Sequence, residues 1–128
     1  MTDLIEVKTA DLQGWQLAWA VAVAEELDPY LVGPHYGNPW RVFRIQHGEA
    51  LKWERLYNPH EDWALAGPLI DKHHPTFSFS DGLIRAEVIV ASGEPFSAIG
   101  PDYLVAACRA IVAAKLGDTV QVPKELMP

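Results

Sequence analysis

Gly100-Pro101-Asp102-Tyr103-Leu104-Val105-Ala106-Ala107-Cys108-Arg109-Ala110-Ile111-Val112-Ala113-Ala114-Lys115-Leu116-Gly117 is the stretch on which the fold turns. Proline is tolerated in a first helical turn, and Asp102 there complements the positive end of the helix dipole. Lys115 and Gly117 make a matching C-terminal ending. Leu104, Ala107, Cys108, Ile111, Val112 and Leu116 cover more than half the circumference. Such a helix must be covered on most sides by a sheet, another helix or a second subunit. Arg109 is the one charge within it and needs a partner. Asp62 or Asp118 would serve structurally, and an anionic ligand would serve functionally.

Upstream, Thr76-Phe77-Ser78-Phe79-Ser80 alternates, Asp81-Gly82 turns, and Leu83 to Val90 is rich in β-formers, so a hairpin is expected there. Phe96 to Ile99 reads as the lead into the helix. Downstream, Thr119 to Pro123 reads as a short strand whose proline confines its end to an edge. Ile5-Glu6-Val7-Lys8 has a similar pattern, and pairing of the two would bring the ends of the chain together.

A second helix is expected from about Ala10 to Leu27, with Thr9 or Asp11 as N-cap and Pro29 as its limit. Trp15 and Trp19 fall on one face of it, suited to core or subunit contact, or to a pocket wall shared with Trp40 and Tyr36. Between residues 29 and 40, three prolines and two glycines argue against regular structure, yet two Tyr, a Trp and a His make it an aromatic loop. Loops of that length are often functional. Trp40 to Ile45 alternates weakly as a strand, and His47 to Glu49 is a turn. Ala50 to Tyr57 fits a helical turn or a strand equally. Trp63 to Asp71 is apolar and broken at Gly67-Pro68, with a short extended segment expected from Leu69.

The 128 residues suit a single domain, residues 1–128, and 49% hydrophobic and 21% charged residues are globular values. A net charge of −7 argues against a nucleic-acid backbone as the main partner. Arg41, Arg44, Lys52 and Arg55 still leave room for a local basic patch. The lone Cys108 excludes an internal disulfide and reads as an inert buried thiol. No apolar run reaches the roughly 18 residues of a membrane span. The stretch from Met1 to Glu6 lacks a basic leader, so a cytoplasmic location is expected.

Three blocks stand out: Val7 to Gly14 leading to Leu17-Ala18-Trp19-Ala20-Val21-Ala22, then Tyr57 to Ile70, then Leu104 to Asp118 closing with Val120-Gln121-Val122-Pro123. Together they resemble the NinX-like family of phage and prophage proteins. The third is the most specific, because helix formation alone does not dictate Arg-x-x-Val-Ala-x-Lys-Leu-Gly-Asp. Ala66 stands where the family usually has a glycine, and Asp71-Lys72-His73-His74 replaces a Glu-Arg-Glu type of ending. The resemblance implies a phage or prophage gene acting in bacterial cytoplasm. It implies no reaction.

The candidate ligand-binding residues are Tyr36, Trp40, Asn58, Pro59, Asp62, Trp63, Gly67 and Arg109. In the functional reading Trp63 stacks on a planar ligand whose polar edge meets Asp62, His60 or nearby amides. In the structural reading Asn58 or Asp62 caps a helix and Trp63 is core. No phosphate loop, dinucleotide fingerprint, nucleophile elbow or metal-ligand spacing occurs, so no catalytic residue, cofactor or metal is assigned. The expectation is an α+β domain, two apolar helices on a small, mostly antiparallel sheet with long aromatic loops. Excess apolar helix surface and five Trp suggest a homo-oligomer. The expected function is sequestration of a small nucleotide-like host signal by a phage accessory protein, with host defence as the natural target. The alternatives are an interaction module for a host protein and a small hydrolase using Asp62, His60 or Glu61.

Overall fold

The computed structural model describes residues 3–128, so the reading at Met1 and Thr2 lies outside the described residues. The expected α+β class is what forms, with three helices and three small sheets in place of two helices and one sheet. Strand β1 (Leu4–Lys8) is followed by a 3-10 turn at Thr9–Asp11 and helix α1 (Gly14–Ala24). Strands β2 (Tyr30–Val32), β3 (Arg41–His47) and β4 (Lys52–Leu56) come next, then helix α2 (Trp63–His73). Strands β5 (Thr76–Ser80), β6 (Leu83–Ile89) and β7 (Pro95–Gly100) precede helix α3 (Tyr103–Leu116) and strand β8 (Thr119–Pro123).

Helix α3 is the centre of the domain. Leu104, Ala106, Ala107, Cys108, Ala110, Ile111 and Val112 are buried on it. They are covered by β6 and β7 on one side and by α1 on another. Intramolecular cover therefore accounts for much of the apolar surface that the sequence left to a sheet, a helix or a second subunit. Asp102 is the N-cap rather than a first-turn residue: its Oδ1 accepts from Val105 N at 2.8 Å. Gly100-Pro101 belongs to the preceding strand and bend. Residues 95–100 form β7, the third strand of an antiparallel β5–β6–β7 meander, where only a lead-in was expected.

The expected pairing of the chain's two ends is present. β1 and β8 are antiparallel, with Ile5 opposite Val122 and Val7 opposite Val120. Thr9 Oγ1 donates to Gly117 O at 2.6 Å, so Thr9 ties the end of α3 to β1 and does not cap α1. Helix α1 starts late, because Gln13 is extended and Gly14 has φ +55°, a left-handed turn that interrupts any helix from Ala10. It stops at Ala24, before Pro29, since Glu26 and Asp28 also adopt left-handed φ of 57° and 51°.

Two further expectations are corrected. Residues 30–32 of the aromatic loop are strand, paired to β3, because their apolar side chains complete a sheet edge. Gly67-Pro68 does not break the apolar stretch: α2 runs through it. An interior proline costs a helix roughly 3 kcal/mol. The helix is held at both ends instead: Asp62 Oδ1 accepts from Ala64 N at 2.9 Å, and Lys72 and His73 in the last turn anchor to Glu25.

Candidate functional site

The register of the β3–β4 hairpin creates the site. Side chains of a strand alternate between faces, and residues directly opposite share a face. Arg44 lies opposite Arg55, and Gln46 lies opposite Trp53. Val42, two residues before Arg44, is fully buried, and Tyr57 N donates to its carbonyl at 2.9 Å. One face of this hairpin thus passes from core (Val42, Tyr57) through an arginine pair to a rim of Gln46 and Trp53.

Helix α2 and the end of α1 close this face into a cleft of about 320 Å³, walled by Arg44, Gln46, Arg55, Tyr57 and Glu25 with Leu27, Leu65, Pro68 and Leu69. Two guanidinium groups directly across a ladder repel one another, at a cost of up to about 1 kcal/mol. Among the described residues neither is in an ion pair, and Arg44 reaches only Ile45 O, at 3.3 and 3.4 Å. The nearby carboxylate of Glu25 is already occupied: it accepts from Lys72 Nζ and His73 Nε2, each at 2.9 Å. Burial would raise the Glu25 pKa, but these two bonds and the charges behind them bring it below the ordinary value. Burial pushes the Tyr57 hydroxyl well up, Cys108 and Glu25 add to this, and the phenol stays a protonated donor. The cleft therefore offers an anion two cations that are in no ion pair among the described residues.

The residues chosen from sequence do not gather into one pocket. Trp40 and Trp15 share a cleft of about 380 Å³, but Trp19 and Tyr36, expected on the same wall, do not line it. The C-terminal residues Leu126 and Met127 line it too, bonded to Gln16 Nε2 at 3.3 and 3.5 Å. Tyr36 sits at a turn tip, 91% exposed, its ring 4.0 Å from that of His35. Asn58 Nδ2 donates to Glu61 Oε1 at 2.9 Å, Pro59 is fully buried, and Asp62 caps α2. Trp63 is 60% exposed and is not core; it starts a helix whose buried residues are Ala66 and Leu69. Gly67 lies within α2, one residue from Pro68 on the cleft wall. Arg109 pairs with neither Asp62 nor Asp118. Its Nε donates to Leu12 O at 2.8 Å and its Nη1 to Ile99 O at 2.9 Å, binding the turn before α1 to the end of β7. Partial burial lowers its pKa, against the opposing charges of Asp11 and Asp102. Cys108 is buried, and burial pushes its thiol to about 12, as suits an inert packing residue.

Sequence reading passed over Arg55, Tyr57, Trp53 and Glu25 as site residues. The expected turn at His47–Glu49 would not have paired Arg44 with Arg55; the observed connection runs from 48 to 51, with His47 opposite Lys52, and that sets the two arginines opposite one another.

His60, next to the cap of α2, is 9% exposed, and its Nδ1 is buried with no hydrogen-bond partner. Its ring stands edge-on to Trp15 at 5.8 Å. Burial lowers its pKa, although Glu61 and Asp102 pull the other way. Its folded pKa is thus below the unfolded value, and the unfolded chain binds the proton first. Stability should therefore fall as the pH drops below about 6.5, until the folded pKa is passed. Thermal melts from pH 7.5 to 5 should show this fall, and His60→Phe should flatten it; an equal slope in both proteins would exclude His60 as the cause.

Among the described residues no group of three or more His, Cys, Asp or Glu side chains is placed to hold a metal ion. No helix among them is long and apolar enough to cross a membrane. Fold and cleft together define a small α+β domain with an unneutralised arginine pair. Residues 8–115 match the family described as Bacteriophage P22, NinX, and the chain belongs to that family. No curated protein matches it.

Proposed function

We propose that this phage-family protein is an accessory binding protein that sequesters a small nucleotide-like molecule without transforming it. The setting would be the cytoplasm of the bacterial host, and a signal used in host defence would be a fitting ligand. One observation carries the reading: Arg44 and Arg55 face each other across the ladder with no counter-ion among the described residues, on the wall of one cleft. Arginine is suited to phosphate because its planar fork offers paired donors.

The decisive experiment is a thermal-shift series with nucleotides, in wild type and in Arg55→Glu. A ligand at a hundred times its dissociation constant stabilises the folded state by about 2.7 kcal/mol. Arg55→Glu should relieve the cross-strand repulsion, melting at or slightly above the wild-type temperature without ligand, and should lose the shift. If no phosphate-bearing compound shifts the wild type, the proposal fails.

A second reading, docking onto a host protein or a second copy of the chain, is favoured by the exposure of Tyr36 and Trp63. Capture of a partner that depends on Trp63 but not on Arg55 would select it.

A further inference from the structure

The arginine cleft adjoins a larger one of mixed charge. This second cleft, of about 540 Å³, has Glu26, Asp28 and Glu54 on its wall as well as Lys52, His47 and Trp53, and it shares Arg44 and Leu27 with the first. From this we infer, resting on the reading above, that the ligand is a nucleoside monophosphate with an amine-bearing base. Its phosphate lies between Arg44 and Arg55, and its base stacks on Trp53 with the amine turned to Glu26 and Asp28.

Spacing comes first. Trp53 and Arg55 are two residues apart on the same face of β4, a separation of about 7 Å along the strand. That matches one sugar between a phosphate and a base, and leaves no room for a second phosphate in the interval. The platform comes second. A Cβ on Gly48 would lie 2.8 Å from Trp53 Cζ3, so the indole rests directly on the hairpin turn. It is nonetheless 45% exposed. An indole steadied on the turn and partly open to solvent can take a flat ring, and such stacking tolerates any base.

Charge sets the direction. Glu26 and Asp28 occupy the left-handed turn between α1 and β2 that walls the tryptophan cleft. Carboxylates there accept hydrogen bonds from an exocyclic amine, whereas the paired guanidinium groups of the first cleft suit the phosphate. Adenine, guanine and cytosine carry that amine, and uracil does not. The paired donors at one end and the two turn carboxylates at the other favour one orientation of the ligand.

Calorimetric titration with adenosine monophosphate, uridine monophosphate and ribose phosphate tests this. Adenosine monophosphate should bind at least about tenfold more tightly than ribose phosphate, the value of one stacked base. Uridine monophosphate should lie between them. In Trp53→Ala the ratio of adenosine monophosphate to ribose phosphate should fall to about one. Gly48→Ala should lower that ratio by displacing the ring without removing it. In the double variant Glu26→Gln, Asp28→Asn the preference for adenosine over uridine monophosphate should vanish. Equal wild-type affinity for ribose phosphate and adenosine monophosphate, lost in Arg55→Glu, would overturn this inference and leave the anion cleft standing. A base preference that survives Trp53→Ala would also overturn it. Absence of binding by all three compounds would overturn this inference, and the reading it rests on would fall only if the wider nucleotide series also gave no thermal shift.

Discussion

Gly100→Ala should destabilise the protein by about 2–3 kcal/mol and lower its melting temperature by about 10 °C, although it adds one methyl group. A Cβ at Gly100 would lie 2.8 Å from Ala106 N and 3.2 Å from Ala106 Cα, with Val105 Cγ1 at 3.0 Å. Two of these three atoms are backbone in the first turns of α3, so no rotamer change relieves the overlap. Strand β7 would have to move away from the helix that it covers. The same substitution at Gly67 should have the opposite sign. Gly67 is inside α2 and has nothing within 4 Å of an added Cβ. Alanine there should gain about 0.5–1 kcal/mol from helix propensity alone. Thermal melts of the two variants side by side check both signs. A loss of stability in Gly67→Ala would show that α2 needs close approach of another group at that point.

Glu25→Ala should cost about 2 kcal/mol at neutral pH. The carboxylate is 6% exposed and joins the end of α1 to the last turn of α2 through Lys72 and His73. A carboxylate has no proton to give, so His73 Nε2 must be the donor. Removing Glu25 strands that nitrogen in a side chain only 9% exposed. Breaking a fully buried pair costs about 3–5 kcal/mol, and the exposed position of Lys72 reduces the figure here. The folded pKa of Glu25 is depressed. Its stabilisation is therefore present above the unfolded value near 4.5 and is lost as the pH falls through the folded value. The gap in melting temperature between wild type and Glu25→Ala should stay constant from pH 7 to 5 and narrow below that. A gap unchanged at pH 3 would mean that the carboxylate acts by packing alone.

Much of the fold could be read from local pattern, because α3, the β5–β6 hairpin and the β1–β8 pair each have a periodicity or turn that belongs to one element. α2 was hidden because Pro68 is a helix breaker by propensity, and only tertiary anchoring through Glu25 overrides it. β7 was hidden because Pro95 to Gly100 is short and lies beside the helix signal. The site was less legible. Asn58, Asp62 and Arg109 looked chemical because they are polar within apolar blocks, yet each satisfies a local structural need: a cap, a turn, two carbonyls. The arginine pair was visible only as four basic residues near one another. Its meaning depends on strand register, which a stretch ambiguous between helix and strand could not supply.

The pairing of β1 with β8 places residues more than a hundred positions apart in direct contact. During synthesis β1 emerges first and waits, with an unsatisfied edge, for a partner near the other end of the chain. Loop closure on that scale is slow compared with formation of the helices or hairpins. Closure of the β1–β8 seam is therefore expected late in folding, after the local elements have formed.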